Sequence, residues 1–200
     1  MKRALVTGCA GFIGSTLTER LLREGYTVTG IDVFTNNYAR ALKERNLERL
    51  RHHPDFTFIE QDLLNVPLTS LLSKTDVVFH QAAMPGVRQS WGQEYQEYVN
   101  CNILATQRLL EAVRHSTIDK LVYASTSSVY GVTDGPTSEE HPTRPISPYG
   151  QTKLAGEQLC QLYHHNFQVP YVALRYFTVY GPRQRSDMGF HKFIRALLLG

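Results

Sequence analysis

The chain alternates between short apolar runs and longer amphipathic segments along its whole length. Six apolar runs have the length and the β-branched content of buried strands; they cover residues 3–7, 27–31, 56–59, 76–80, 120–124 and 170–174. Helical patterns lie between them, after residue 14 through about 24, and near residues 39–51, 94–115 and 148–166. Apolar strands separated by helices predict a doubly wound α/β fold, in which helices cover both faces of a parallel sheet.

Polar clusters directly follow four of these runs, at residues 61–63, 81–83, 125–128 and 175–178. In an open parallel sheet, ligands gather in the crevice outside the carboxyl ends of the strands. We therefore expect the four clusters to face one crevice. Residues 133–148, rich in Pro, Gly, Ser and Glu, predict a surface loop before the last of the four helices.

The length and the composition favour one domain. Two hundred residues with 42% hydrophobic content suffice for a single core, and no repeat or linker divides the chain. The formal net charge is +3, and the densest basic patches, at 43–53 and 175–195, are short and mixed. Neither resembles the basic tracts that follow a nucleic-acid backbone, so no nucleic-acid partner is expected. The patch at 43–53 is interpreted as a solvated helix face.

Three cysteines, Cys9, Cys101 and Cys160, are far apart and show no metal-ligand spacing. They predict free thiols, no metal site and a reducing compartment. The chain passes directly from Met1 into its first strand, and no apolar run approaches 18 residues. We therefore expect a soluble, cytoplasmic protein without membrane contact.

A glycine-rich turn follows the first apolar run, with the spacing Gly8-x-x-Gly11-x-x-Gly14. Such glycines let the backbone approach a pyrophosphate closely and direct free helix N–H groups at it. The second run ends at Asp32, eighteen residues after Gly14. A carboxylate there accepts hydrogen bonds from the adenosine ribose and repels a 2′-phosphate. The two features predict a dinucleotide site that prefers NAD to NADP.

Tyr149 and Lys153 stand four residues apart on a predicted helix, which places them on one face. A lysine near a tyrosine favours the phenolate, so a group with an ordinary pKa near 10 can act as a base at neutral pH. The same spacing also arises by chance on ordinary helix surfaces. The pair by itself therefore does not decide between a catalytic site and a plain helix face.

Seven blocks of the sequence, in order and in spacing, resemble the extended branch of the short-chain dehydrogenase/reductase family, and within it the nucleotide-sugar epimerases. They are Gly8–Gly14, Asp32, Asp62-Leu63, His80–Ala83, Ser125–Gly131, Pro148–Lys153 and Leu174–Pro182. The resemblance implies a Rossmann-like NAD-binding domain over residues 1–200, in which about 175–200 begin the substrate-binding region. It also implies that the C-terminal substrate-binding part is largely missing from this sequence.

Carried over by position, the resemblance implies a cofactor site at Gly8, Gly11, Phe12, Ile13, Gly14, Asp32, Asp62, Leu63, Gln81, Ala82, Ala83, Asn102, Tyr149 and Lys153. Within it, Asp62 and Leu63 would border the adenine and Lys153 would hold the nicotinamide ribose. Asn102 matches a structural and ribose-side asparagine of the family. His80 fits either this cleft or the core.

The resemblance further implies catalysis by Tyr149, Lys153 and Thr126, and substrate contacts from Thr126, Ser127, Ser128, Tyr149, Thr178 and Arg185. Tyr149 would take the proton of a sugar hydroxyl while hydride leaves the same carbon for NAD. The resulting 4-keto sugar would take the hydride back on its other face, which inverts C4. Dehydratases and decarboxylases of the family carry an acid just after the catalytic threonine, where this chain has Ser127 and Ser128. An epimerase is therefore favoured.

The segment Thr178–Met188 resembles the matching segment of epimerases that act on UDP-glucuronate, whereas the galactose type has Asn-Pro in place of Thr178-Val179. Arg185 is suited to pair with a diphosphate or a sugar carboxylate. Ser186 departs from the proline of the family. UDP-glucuronate is thus the predicted substrate, and the full-length protein is expected to form a homodimer. A UDP-glucose/galactose-type epimerase, a decarboxylase or dehydratase, and a catalytically silent NAD-binding fragment remain open alternatives.

Overall fold

A computed structural model describes residues 2–200 and contains one six-stranded sheet, in which all strands are parallel. The strands are β1 (Arg3–Thr7), β2 (Thr27–Asp32), β3 (Phe56–Glu60), β4 (Val77–His80), β5 (Lys120–Thr126) and β6 (Tyr171–Tyr176). Their order in the sheet is β3-β2-β1-β4-β5-β6. The order reverses between β1 and β4, and this is where a ligand crevice is expected. The doubly wound parallel fold that the apolar pattern predicts is confirmed.

The helices are α1 (Phe12–Arg23), α2 (Arg40–Leu47), α3 (Leu68–Leu72), α4 (Tyr95–Tyr98), α5 (Ala105–Val113), α6 (Pro148–Phe167) and α7 (Gly189–Leu199). A π-helical turn, Val99–Leu104, joins α4 to α5, so the helix predicted over 94–115 is interrupted. Helix α3 was not predicted, because five residues are too few to show a helical period. Short 3₁₀ turns lie at Leu50–His52, Arg88–Ser90, Gly92–Glu94 and Ser127–Val129. None of the seven α-helices, within residues 2–200, has the length and apolar content to cross a membrane.

Both faces of the central strands are covered, and successive side chains of a strand point to opposite faces. Leu5 of β1 belongs to an apolar cluster that includes residues of α5 and α6. Its neighbour Val6 belongs to a second cluster that includes residues of α1. The strands therefore read as continuous apolar runs.

Most of the patch at 43–53 is solvent-exposed, as interpreted from the sequence, but two of its polar side chains are buried. Lys43 is only 4% exposed, and its Nζ donates hydrogen bonds to the Thr35 carbonyl (2.6 Å) and to Asn37 Oδ1 (2.7 Å). Asn46 is also buried and donates to the carbonyl of Ala10 in the glycine turn (2.9 Å). A lysine stem packs well against apolar surface, so charge alone was a poor guide to exposure.

Helix α6 begins with Ser147 as its N-cap, whose hydroxyl accepts a hydrogen bond from the Gly150 amide (3.1 Å), followed by Pro148 in the first turn. One turn beyond Lys153 the helix approaches β5 closely. A Cβ at Gly156 would overlap the Tyr123 hydroxyl of that strand. A glycine is therefore needed for α6 to lie against β5 at this distance.

Candidate active site

The turn between β1 and α1 brings backbone rather than side chains to the crevice. Gly8 has a φ of +71°, and a Cβ there would meet the Ala82 amide nitrogen at 2.7 Å. A Cβ at Gly14 would overlap the Gly8 carbonyl oxygen. The N-cap of α1 is Gly11, which supplies no side-chain cap, so the amides of the first turn stay available to an anion. The turn thus fits a pyrophosphate.

Asp32, at the end of β2, is fixed beside this turn by two backbone amides. Its Oδ2 accepts from the Ala10 N–H (3.0 Å) and its Oδ1 from the Phe34 N–H (2.8 Å). Each carboxylate oxygen has a further lone pair. The residue can therefore accept hydrogen bonds from the hydroxyls of a ribose.

One cavity of about 490 Å³ runs along the carboxyl ends of the strands. It is lined by every predicted site residue except Asn102, namely Gly8, Gly11, Phe12, Ile13, Gly14, Asp32, Asp62, Leu63, Gln81, Ala82, Ala83, Thr126, Ser127, Ser128, Tyr149, Lys153, Thr178 and Arg185. Residues from the ends of all six strands and from two helices thus face one space. Its volume lies in the range of small-molecule sites.

Other lining residues were not singled out from the sequence, among them Thr35, Asn37, Tyr38, Lys43, Pro85, Gly86, Val87, Cys101, Phe177, Val179 and Met188. The first four follow the carboxyl end of β2, where ligands of parallel sheets gather, so their position in the sequence could have identified them.

Two polar atoms at the cavity, Tyr38 Oη and Gln81 Nε2, are buried and lack a hydrogen-bond partner among residues 2–200. Burial raises the pKa of Tyr38 to about 12. Unpaired buried polar atoms fit a site that a polar ligand completes.

Asn102 supports the cavity wall but does not line the cavity. It is fully buried in the π-helical turn, where its Oδ1 accepts from the Met84 N–H (2.8 Å). Its Nδ2 donates to the Met84 carbonyl (3.1 Å) and to Thr152 Oγ1 (3.0 Å). The side chain thus joins the loop after β4 to α6.

His80 is a buried residue of the core, and its hydrogen bonds fix its tautomer. The Thr106 hydroxyl donates to the Asn102 carbonyl (2.8 Å), so it accepts from His80 Nε2–H (3.0 Å). The Ala82 amide donates to Thr7 Oγ1 (3.1 Å), whose own proton goes to His80 Nδ1 (2.7 Å). A neutral imidazole satisfies all of these partners.

We expect His80 to make the protein less stable as the pH falls. Burial, with a smaller effect from Lys153, lowers the pKa of His80 to about 3, whereas the unfolded chain should show about 6.5. Between these values the unfolded state binds one more proton, so the free energy of unfolding should fall by about 1.4 kcal/mol per pH unit. Urea unfolding of wild type and His80→Gln from pH 6 to pH 4 measures this slope. Equal slopes for the two proteins would contradict the prediction.

Tyr149, Lys153 and Thr126 meet at the cavity from α6 and from the end of β5. Thr126 Oγ1 accepts from the Ser128 amide (3.2 Å), which leaves the hydroxyl proton free to donate elsewhere. Lys153 Nζ lies 4.2 Å from the ring centre of Tyr123, a cation–π contact that the sequence did not reveal. The Tyr149 ring packs edge-on against Tyr98, with the ring centres 6.3 Å apart. All three groups are thus held by neighbours.

The electrostatics of this trio differ from the sequence expectation. Burial raises the pKa of Tyr149, and the Thr126 hydroxyl and the charge of Arg185 offset this only in part. Burial likewise lowers the pKa of Lys153 to about 7. Desolvation therefore outweighs the benefit that the ammonium was expected to give to the phenolate. A phenolate at Tyr149 needs further positive charge in the cavity.

The part of the cavity beside Thr126 carries hydroxyl groups and no acid. Among the described lining residues, the only carboxylates are Asp32 and Asp62, which follow β2 and β3. Ser127 and Ser128 occupy the turn directly after β5. Arg185 lines the cavity while pairing with Asp187, at 3.0 and 2.9 Å. A carboxylate ligand would therefore have to share Arg185 with Asp187.

The three cysteines are free thiols, as the sequence predicted. Cys9 and Cys160 are buried, and Cys101 is half-buried at the cavity wall. Within residues 2–200, no group of three or more His, Cys, Asp and Glu side chains is arranged to hold a metal ion.

Comparison with known proteins agrees with this geometry. The profile of the NAD dependent epimerase/dehydratase family matches residues 4–200. An uncharacterized UDP-glucose epimerase of Bacillus subtilis is 53% identical over 96% of this chain and 61% of its own length. A UDP-glucuronate 4-epimerase of Thermodesulfobacterium geofontis is 40% identical over 96% of this chain and 60% of its own length.

Among solved structures, the UDP-glucuronic acid 4-epimerase from Bacillus cereus in complex with UDP-glucuronic acid and NAD is similar, with a TM-score of 0.96 and 53% identity. The match covers 98% of this chain and 63% of that one. The chain thus spans about 60% of the length of the curated relatives that it matches. It belongs to the NAD dependent epimerase/dehydratase family.

Proposed function

We propose that this chain is the cofactor-binding part of an NAD-dependent UDP-sugar 4-epimerase whose substrate is UDP-glucuronate, and that residues 175–200 begin its substrate-binding region. The observation that carries the proposal is the shared cavity, in which the glycine turn and Asp32 face the same space as Tyr149, Lys153 and Thr126. The names of the similar proteins support the same activity.

Different lining residues would bind different parts of the cofactor. The backbone of Gly8–Gly14 would hold the pyrophosphate and Asp32 the adenosine ribose. Asp62 and Leu63 would border the adenine, and Lys153 would hold the nicotinamide ribose. When bound, NAD would supply an acceptor that takes hydride from the sugar and returns it, and its ring would add positive charge to the cavity.

Tyr149 and Thr126 would hold the C4 hydroxyl of the sugar between them. The hydroxyl proton passes to the Tyr149 oxygen as C4 loses its hydrogen with two electrons, and a C4 ketone results. Thr126 Oγ1 accepts from the Ser128 amide, so its hydroxyl proton is available to donate to that oxygen throughout. When the other face of the ketone receives the hydrogen, Tyr149 returns the proton and the stereocentre is inverted.

The distribution of charge favours epimerisation over elimination. Loss of water or carbon dioxide from the keto sugar calls for an acid or base beside the neighbouring carbons. The only carboxylates among the described lining residues, Asp32 and Asp62, stand at the ends of β2 and β3. Ser127 and Ser128 occupy the turn beside Thr126 instead.

The choice of UDP-glucuronate rests on the cavity residues that follow β5 and β6. Ser127, Ser128, Thr178 and Arg185 line the cavity and offer donors suited to a carboxylate. A UDP-glucose epimerase is the second candidate, because Arg185 is paired with Asp187 and the relative from B. subtilis carries that name.

The whole protein is proposed to act as a homodimer. Helix α6 exposes Leu162 and Phe167, an apolar surface that a second copy could cover. Sedimentation of a chain as long as the relatives would reveal the mass of the assembly. A monomer at all concentrations would contradict this proposal.

The activity is tested by incubating the protein with NAD and a panel of UDP-sugars, including UDP-glucuronate and UDP-glucose, followed by proton NMR of the products. We expect UDP-glucuronate to give UDP-galacturonate without carbon dioxide or a stable keto sugar. Unchanged sugars across the panel would contradict the proposal. Inversion of UDP-glucose alone would establish the second candidate.

A further inference from the structure

Glu157 lies one turn beyond Lys153 on α6 and does not line the cavity. We infer that Glu157 is a positioning residue, which ties the helix that carries Tyr149 and Lys153 to the strand end that carries Thr126. The consequence of Glu157 for turnover rests on the proposed function, whereas the effect of Glu157 on the titration of Lys153 can be measured without substrate.

One carboxylate joins three elements. Glu157 is only 9% exposed. Arg175 of β6 donates from Nε to both carboxylate oxygens (3.0 and 3.2 Å) and from Nη2 to Oε2 (2.9 Å). Ser125 of β5 donates its hydroxyl to Oε1. Since Ser125 and Arg175 are partners in the parallel pairing of β5 with β6, the helix is fixed to both strands at one point.

The same cluster reaches the loop that follows Thr126. Arg175 Nη1 donates to the Tyr130 hydroxyl (3.0 Å) and to the Glu139 carbonyl (2.9 Å). The guanidinium carbon also lies 4.8 Å from the centre of the Tyr130 ring. Without the carboxylate, Arg175 would keep these contacts but lose its link to α6.

The position of the cluster explains why it matters to the site. Ser125 directly precedes Thr126, and Glu157 follows Lys153 by four residues, so each anchor adjoins a cavity residue. A movement of α6 along β5 would separate Tyr149 from Thr126. Displacements of about 1 Å can cost on the order of a hundredfold in rate.

Glu157 also contributes charge. The groups that influence Lys153 or face it are Glu157 and Cys160 of α6, Tyr149 of α6, His80 of β4 and Tyr123 of β5. Burial raises the pKa of Cys160 to about 12 and also raises the pKa of both tyrosines, while His80 is neutral. The carboxylate of Glu157, which pairs with Arg175, raises the pKa of Lys153 and so opposes the effect of burial.

The test compares Glu157→Gln with Glu111→Gln. Glu111, on α5, accepts a hydrogen bond from Tyr163 of α6 and so provides a matched carboxylate that is bonded to the same helix, outside the cavity. The chain has six lysines, so the side-chain signal of Lys153 can be followed by NMR and assigned by its loss in Lys153→Met. We expect the midpoint of Lys153 to fall by about one pH unit in Glu157→Gln and to stay unchanged in Glu111→Gln.

An unchanged midpoint in Glu157→Gln would overturn the inference, as would an equal fall in Glu111→Gln. Circular dichroism reports whether the variants are folded. Glu157→Asp is a second variant, which can be measured even if Glu157→Gln is unfolded. Because it keeps the charge, its Lys153 midpoint should lie close to that of wild type. A Lys153 midpoint about one pH unit below wild type in Glu157→Asp would also contradict the inference. Because the titration needs neither NAD nor sugar, its result can be interpreted whether or not the protein proves to be an epimerase.

Discussion

Replacing Tyr149 with phenylalanine should lower the turnover of UDP-glucuronate by about 100- to 10,000-fold, the usual contribution of a positioned acid–base group. The substitution removes only the hydroxyl that would take and return the proton. The ring can keep its edge-on contact with Tyr98, so the cavity should retain its shape. Initial rates by NMR, with NAD affinity measured by calorimetry, separate the loss of chemistry from the loss of binding.

Tyr163→Phe is the matched control, because Tyr163 lies on the same helix but outside the cavity. Its hydroxyl donates to Glu111 and accepts from Gln107 (3.0 Å). Turnover in this variant should stay close to wild type. Wild-type turnover in Tyr149→Phe would contradict the proposed role of the tyrosine, and an equal loss in both variants would show that the effect is structural.

The second large effect concerns the glycine turn. Gly14→Ala should weaken NAD binding by about ten- to a hundredfold, because strain of about 1–3 kcal/mol corresponds to roughly that change in affinity. The new Cβ would overlap the Gly8 carbonyl oxygen, which is backbone and cannot rotate away. The turn must therefore move from the position in which it fits a pyrophosphate. Calorimetric titration with NAD measures the change.

Gly135→Ala serves as the control, since a Cβ there meets no atom within 4 Å. Its NAD affinity should equal that of wild type. If Gly14→Ala also bound NAD with wild-type affinity while remaining folded, the glycine turn would not be the pyrophosphate site.

The strands and the crevice could be predicted from the sequence because they depend on local signals. Six apolar runs are unambiguous when both faces of a sheet are buried, and parallel strands place their carboxyl ends together. The glycine turn and Asp32 follow the first two strands directly, so their proximity in space follows from the topology.

Other features depend on contacts that sequence spacing does not show. The burial of Lys43 depends on the loop that folds back over it, and charge alone suggested exposure. Asn102 sits in a π-helical turn, which a pattern of 3.6 residues per turn does not predict, and there its amide is occupied by protein partners. The Tyr123 ring beneath Lys153 becomes evident only when β5 and α6 are packed together.

The expectation that differs most from the structure concerns the pKa of Tyr149. The spacing of Tyr149 and Lys153 suggested a lowered pKa, but both groups are buried and desolvation disfavours the charged form of each. Spacing along a helix indicates which groups are neighbours. Burial then decides which protonation states they prefer.

The fate of the hydrogen at C4 tests the central proposal most directly. UDP-glucuronate that carries deuterium at C4 would be incubated with the protein and NAD in ordinary water, and the product would be examined by NMR. We predict that the inverted product retains deuterium at C4, because the hydrogen leaves and returns within one closed site. Loss of the label to solvent, or its appearance at another carbon of the sugar, would contradict transient oxidation at C4.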